Sequence, residues 1–365
     1  MAEREDGEAS RDEAVIDAAR PPRQGEELDI DRLAPYLRQA LGVDGELVIE
    51  QFPSGFSNLT YLLRLGDLEL VLRRPPFGNR VASAHDMARE HRVLSALHTA
   101  YPLAPKPYVY CDDPEILDAP FYVMERRRGV ILRRQPPAGL HLSPPVMARL
   151  SERFVDHLAA LHTVDVEAAG LGDLGKPEGY VARQVSGWIR RYEKAQTDTW
   201  PELDETAAWL TTHQPEDSGA ALIHNDYKFD NVVLDANDLT RLVAVLDWEM
   251  CTLGDPLMDL GTTLAYWVEA DDPAPFRAAA FGPTALPGAW TRRQIAERYA
   301  EITGADLSKL VFYVAFGHYK LAVIVQQIYW RYANGHTQDP RFAQLNQLVG
   351  LLGKVALGNV SRGRF

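Results

Sequence analysis

The sequence predicts an α+β protein with a β-rich first part and a helical remainder, and three observations carry that prediction. Apolar runs of strand length recur between residues 47 and 74, with turn residues between them. From Pro144 onward the apolar spacing becomes helical and the segments lengthen. The composition is 46% hydrophobic and 24% charged over 365 residues, which suits a globular chain of one large domain or two smaller ones.

Taken in order, residues 1–26 are polar, acidic and poor in aromatics, and predict a disordered acidic tail. LDIDRLAPYLRQAL, from Leu28 to Leu41, has helical spacing. LVIEQF (Leu47 to Phe52), LTYLLRL (Leu59 to Leu65) and LELVLRR (Leu68 to Arg74) predict strands, the last two joined by a Gly66-Asp67 hairpin. A helix follows over Ala84 to His98, with Met87, Val93, Leu94 and Leu97 on one face. APFYVMERRRG, Ala119 to Gly129, reads as a buried strand running into an open connection. The expected division is a β-rich lobe over 27–125 and a helical lobe over 126–365. Within the second lobe, Val146 to His162 and Gly179 to Gln196 predict long helices. Residues 232–249 predict a hairpin, and the rest is helical with a Pro/Gly-rich break from Phe281 to Gly288.

Charge and cysteine content narrow the function. The net charge is −13, and residues 1–50 hold fourteen Asp/Glu against six Lys/Arg, a net of −8. No basic stripe offsets repulsion from phosphates, so a nucleic-acid partner is not expected. Cys111 and Cys251 stand far apart without a partner motif, which fits a reducing cytoplasm and excludes a thiolate metal site. The first residues lack the basic start and apolar run of a signal peptide. Leu310 to Trp330 is long and apolar, but His318, Lys320, Gln326 and Gln327 interrupt it; a buried helix rather than a membrane span is expected.

The chemistry concentrates in LIHNDYKFDNVVLD, Leu222 to Asp235, where His224, Asp226, Lys228, Asp230 and Asn231 sit between two apolar strands. The hairpin that follows should return Asp247 beside Asn231. An amide and a carboxylate converging in a polar loop can ligate Mg²⁺, which favours oxygen and keeps waters and phosphates. That leaves Asp226 to accept a proton from an attacking hydroxyl and Lys228 to place its charge on a moving phosphate. Positioning, charge neutralisation and one weak base are what phosphoryl transfer needs. His224 is expected to brace the loop rather than act as a base.

This pattern resembles the protein-kinase-like superfamily, with the His-x-Asp-x-x-x-x-Asn core at His224 to Asn231. Asp247-Trp248-Glu249 replaces the usual Asp-Phe-Gly, and GDPLMDLG follows from Gly254 to Gly261. Both features are similar to the aminoglycoside phosphotransferase and choline kinase branch, and within it to the kinase-like domains fused to some acyl-CoA dehydrogenases. The resemblance covers roughly residues 45–350. It implies a two-lobed kinase-like fold with a five-stranded antiparallel sheet, and an ATP- and Mg²⁺-dependent phosphotransferase acting on a small-molecule hydroxyl.

The resemblance also implies nucleotide-binding residues. Ser54, Gly55, Ser57 and Asn58 form the loop expected over the phosphates, with one glycine where protein kinases have three. Arg73 takes the place of the usual strand lysine, and Glu90 on the following helix would hold it. Arg74 stands next door, and a register shift of one would exchange the two arginines. Met124, Glu125 and Arg126 match the hinge that offers backbone groups to adenine. Asp255 and Asp259 read as helix caps or as braces for the catalytic loop, His157 and His162 as packing residues, and Cys251 as a small buried residue. From Leu260 to Arg341, seven Asp/Glu face eight Lys/Arg, and aromatics are frequent. That balance favours a partly apolar or anionic acceptor, such as a hydroxylated acyl-CoA, over a polycationic antibiotic. The competing readings are an aminoglycoside or other small-alcohol kinase, a catalytically silent nucleotide-binding protein, and a protein kinase, for which an Ala-Pro-Glu segment is missing.

Overall fold

A computed structural model describes residues 18–53, 58–77, 86–137 and 139–365, and it divides the chain into two compact units. The first takes the chain through Ile131, Pro137–Leu140 and Val232–Glu249. The second takes Leu132–Pro136, His141–Asn231 and Met250–Phe365.

The first unit is built on a five-stranded antiparallel sheet of β1 (Leu47–Gln51), β2 (Leu59–Leu65), β3 (Leu68–Arg74), β4 (Pro107–Cys111) and β5 (Phe121–Glu125), in the order β1-β2-β3-β5-β4. The central strands are apolar almost throughout, as expected where both faces are covered. Helix α1 (Ile30–Leu41) brings Leu33 and Leu37 against Tyr61, Leu63, Leu72 and Val123, all fully or almost fully buried. Asp29 caps its first amides and Gly42 closes it in the left-handed conformation. Helix α2 (Met87–Ala100) buries Glu90, Val93, Leu94 and Leu97, and its His91 ring lies against Tyr122 of β5. The register pairs Thr60 with Arg73 and Leu59 with Arg74.

Two features of this unit differ from the sequence expectation. Residues 20–26 are ordered along β1: Arg20 and Gln51 exchange backbone hydrogen bonds of 2.9 and 2.6 Å, and the Tyr61 hydroxyl donates to Glu26 O at 2.7 Å. An open strand edge carries unpaired amides and carbonyls, and this polar segment satisfies those of Gln51 regardless of its composition. The boundary also does not fall once, at residue 125. The hairpin of β7 (Val232–Leu234) and β8 (Leu242–Val245) belongs to the sheet-bearing unit. Val130 and Leu234 exchange backbone hydrogen bonds of 2.8 Å, and Val245 N donates to Leu103 O at 2.8 Å. Gly129 permits that approach, since a Cβ there would collide with Leu234 O.

The second unit is helical: α3 (Pro144–His162), α4 (Tyr180–Ala195), α5 (Pro201–Thr212), α6 (Pro256–Tyr266), α7 (Ala274–Ala278), α8 (Arg292–Thr303), α9 (Leu310–Ala333) and α10 (Leu345–Arg362). A two-stranded ladder of β6 (Ala221–Ile223) and β9 (Thr252–Gly254) carries the candidate loop at its end. Gly261 and Gly317 bring α6 and α9 into backbone contact, because neither offers a side chain at the crossing. α9 is long and apolar enough to cross a membrane, and most of that stretch is buried within its unit. Its polar interruptions, His318, Lys320 and Gln326, are buried too.

Candidate active site

Each unit contributes one cluster of charged side chains. In the sheet-bearing unit, Arg73 on β3 reaches Glu90 on α2, NH1 to Oε1 at 2.7 Å. Its other arm, NH2, reaches Asp247 Oδ1 at 3.1 Å and Glu249 Oε2 at 3.9 Å. Asn58 donates its side-chain amide to Glu249 Oε2 at 2.8 Å, and Arg89 donates to the Glu249 carbonyl at 3.3 Å. Burial opposes the charge on Arg73, but the carboxylates of Glu90, Asp247 and Glu249 outweigh it and keep the guanidinium protonated. Arg74 turns elsewhere: its NH2 pairs with Asp118 at 2.7 Å and its guanidinium lies 3.8 Å over the Phe77 ring. Arg73, not Arg74, faces the cluster.

This cluster sets the guanidinium groups of Arg73 and Arg89 against three carboxylates. Asp247 sits in the left-handed region at φ 68°, and it keeps about a third of its side chain exposed. A hard divalent cation fits such a donor set, since Mg²⁺ uses one or two carboxylates and takes its other ligands from water and phosphate. Of the other expected nucleotide residues, Met124 and Glu125 end β5, and Arg126 follows. Glu125 accepts from Lys106 N at 2.6 Å and its own amide donates to Lys106 O at 2.9 Å, while Arg126 pairs with Glu69 at 2.9 Å. Ser54, Gly55 and Ser57 lie outside the described residues.

In the helical unit the loop after β6 is held from below by buried polar groups. Asp259 on α6 accepts from His224 N at 2.7 Å and Asn225 N at 2.8 Å. His162 Nε2 lies 3.1 Å from the same carboxylate, and its Nδ1 lies 2.7 Å from the Tyr299 hydroxyl. Lys320 on α9 donates to Asn225 O at 2.8 Å. Asn225 is left-handed at φ 68°, and with Asp247 it makes the pair of non-glycine positive-φ residues among the described residues. Such conformations persist where the surroundings over-determine them, and they cluster at working sites. The His224 ring accepts from Asp226 N at 3.2 Å, so His224 shapes the loop. Asp255 caps α6 through Leu257 N and Met258 N, and it also accepts from Ser218.

Asp226 emerges from this loop as a carboxylate with every side engaged. Lys228 Nζ donates to both its oxygens, at 2.9 and 2.8 Å. Asn231 Nδ2 donates to Oδ2 and to the Asp226 carbonyl, both at 2.9 Å. Tyr266, the last residue of α6, donates its hydroxyl to Oδ1 at 2.6 Å. Burial alone would raise the pKa of Asp226, but the Lys228 charge and the hydrogen bonds from Lys228 and Tyr266 outweigh it and hold it below the usual range. The carboxylate is therefore ionised at neutral pH and able to take a proton. Asn231 uses its amide nitrogen on Asp226, which leaves its oxygen as the atom able to ligate a hard cation.

Beside Tyr266 and Lys228 lies a cavity of about 10 Å³, lined also by Phe154, Phe229, Thr263, Trp267, Phe281, Gly282 and Thr284. That is space for about one water. The Tyr266 ring packs edge-on against Phe281 with centroids 5.1 Å apart, and Lys228 Nζ lies 4.9 Å from the Tyr266 centroid.

The structure thus groups Arg73, Glu90, Asp247 and Asn58 in one cluster, and Asp226, Lys228 and Asn231 in another. Sequence reasoning missed three participants. Tyr266 was visible only as one of many helical aromatics, and Lys320 only as an interruption of an apolar run. His162, expected to pack, instead belongs to the hydrogen-bonded brace under the loop.

The Phosphotransferase enzyme family, APH, matches residues 48–297. The chain belongs to this family. It is an enzyme of the small-molecule kinase kind. Acyl-CoA dehydrogenase family member 10 of Mus musculus is 32% identical over 343 residues, 92% of this chain and 32% of that protein. Acyl-CoA dehydrogenase family member 11 of Rattus norvegicus is 35% identical over 321 residues, 85% of this chain and 40% of that protein. The chain therefore spans well under half of either relative. Among solved structures, a candidate aminoglycoside phosphotransferase from Ralstonia eutropha is 30% identical and superposes with a TM-score of 0.78, over 92% of this chain and 99% of that one. The kinase-like architecture, with its antiparallel N-terminal sheet and helical C-terminal part, agrees with the expectation from the motifs.

Proposed function

We propose that this enzyme moves the γ-phosphate of ATP to a hydroxyl of a small molecule, with Asp226 as the base. The observation that carries this reading is the Asp226 carboxylate: ionised, partly buried, and set among donors that fix its two oxygens. The acceptor oxygen attacks the γ-phosphorus, Asp226 takes the acceptor's proton, and ADP departs with the electron pair of the broken P–O bond. Lys228 places its charge beside Asp226, where phosphate charge shifts during transfer. Arg73, fixed by Glu90, supplies a permanent cation to the nucleotide phosphates. Asp247 in the sheet-bearing unit, and the Asn231 oxygen in the helical unit, are each candidate ligands for Mg²⁺, which would neutralise phosphate charge when bound.

For the acceptor we propose a hydroxylated acyl compound, carried as its CoA thioester. The two relatives are named as acyl-CoA dehydrogenase family members. The side chains around Lys228 and Tyr266 support a partly apolar acceptor, for Phe154, Phe229, Trp267 and Phe281 gather there. The test is an acceptor screen that follows ADP release with hydroxyacyl-CoAs, choline-like alcohols, sugars and aminoglycosides side by side. Turnover of hydroxyacyl compounds is expected; efficient turnover of kanamycin-type substrates with none on hydroxyacyl compounds would overturn the acceptor class.

A further inference from the structure

The Asp226 carboxylate poses a problem for its own function. Two carboxylate oxygens offer about four lone-pair sites. Lys228 takes one on each oxygen, Tyr266 takes a second on Oδ1, and Asn231 takes a second on Oδ2. An arriving hydroxyl finds none open, so one donor must leave before the base can work. Asn231 is tied by a second bond to the Asp226 carbonyl, and Lys228 by charge to both oxygens. Tyr266 is the donor whose chemistry an acceptor copies: a neutral O–H aimed at a carboxylate at 2.6 Å, within the reach a base needs for its substrate.

The surroundings are consistent with exchange at this position. The cavity behind the Tyr266 ring is too small for any acceptor larger than water. Its wall includes Thr263 Oγ1, a buried oxygen without a hydrogen-bond partner, one turn before Tyr266 on α6. Phe281, whose ring meets Tyr266 edge-on, belongs to the Pro/Gly-containing connection between α7 and α8. Buried polar atoms are ordinarily paired, so an orphaned hydroxyl beside Tyr266 and Lys228 marks a place for a polar group of a ligand.

We infer that Tyr266 is the residue that makes the enzyme select an alcohol over water: its hydroxyl holds the acceptor's place on Asp226 until an acceptor displaces it and enters the space lined by Thr263 and Phe281. This rests on the reading of Asp226 as the base. Without the Tyr266 hydroxyl, water takes the place. Its oxygen bonds to the γ-phosphorus, the bond from phosphorus to the bridging oxygen breaks, ADP leaves with the electron pair, and the water's proton passes to Asp226.

The experiment measures ADP release from ATP and Mg²⁺ alone, with no acceptor added. Tyr266→Phe should raise this futile hydrolysis roughly five- to tenfold, the loss of about one hydrogen bond's worth of protection. Phe281→Ala should raise hydrolysis in the same direction by freeing the ring, and adding Asp226→Asn to Tyr266→Phe should abolish the gain. Hydrolysis unchanged or lower in Tyr266→Phe would overturn the inference. A melting shift with MgATP, read on the same proteins, separates the two levels. A retained shift without increased hydrolysis removes the role of Tyr266 alone. The absence of any shift in the wild type removes ATP as the donor and this inference with it.

Discussion

The two charged clusters are built on opposite principles. Around Arg73, the carboxylates of Glu90, Asp247 and Glu249 outnumber the guanidinium groups of Arg73 and Arg89, so that cluster is short of positive charge. Around Asp226, one carboxylate faces an ammonium, an amide and a phenol, so that every lone-pair site of the anion is filled. A deficit of cations invites a metal and a nucleotide phosphate. A full set of donors keeps a base ionised and occupied until something exchanges with it. The difference teaches that charge balance, read cluster by cluster, separates a binding role from a proton-transfer role.

The largest effect expected is at the base. Asp226→Asn should lower kcat by roughly a hundred- to ten-thousandfold, the range for a lost general base, in the ADP-release assay with whichever acceptor the screen identifies. Full activity in this variant would remove the distinction between the clusters.

Next in size is Arg73, whose fork spans Glu90 and Asp247. Arg73→Ala should weaken ATP binding by roughly ten- to a hundredfold by calorimetry, since it leaves a buried carboxylate without its cation. Arg73→Lys should recover only part, because an ammonium cannot bridge both carboxylates. Arg74→Ala should leave ATP affinity intact and lower the melting temperature, as its contacts are Asp118 and Phe77. An ATP defect in Arg74→Ala equal to that in Arg73→Ala would erase the assignment.

The smallest effect concerns a second cation in the helical unit. Burial pushes the Lys320 ammonium down to about 8, with Asp259 and Asp226 opposing the shift. The unfolded chain holds this proton up to about pH 10.4. Between the two values the unfolded state binds more protons, so stability gains with rising pH. Lys320→Met lacks that gain, so the melting temperature of the wild type relative to the variant should climb from pH 7.5 to pH 10. A constant difference would show that the site does not depress this lysine.

Much of this was legible in the sequence wherever neighbours in space are neighbours in the chain. Strands β2 and β3 lie at the expected bounds, because a Gly66-Asp67 turn and continuous apolar runs leave few alternatives. Asp226, Lys228 and Asn231 fall within six residues, so their grouping was written locally. The short strand β4, from Pro107 to Cys111, was missed because a proline-flanked run of five carries little signal. Tyr266, Lys320 and His162 were missed for a different reason. Their partners lie 40, 95 and 97 residues away, and only the packing of α3, α6 and α9 brings them together. The ordering of residues 20–26 also depends on a distant partner, the open edge of β1.

The contrast between the clusters is tested most directly by titrating ATP, with and without Mg²⁺, into the wild type, Asp247→Asn and Asp226→Asn. Removing Asp247 takes a carboxylate from the cation-poor cluster, so Mg²⁺ should no longer tighten ATP binding in that variant. Removing the charge of Asp226 leaves that cluster whole, so Mg²⁺ should still tighten ATP binding while transfer is lost. The opposite pattern, with Mg²⁺ dependence lost in Asp226→Asn and kept in Asp247→Asn, would contradict the division of roles.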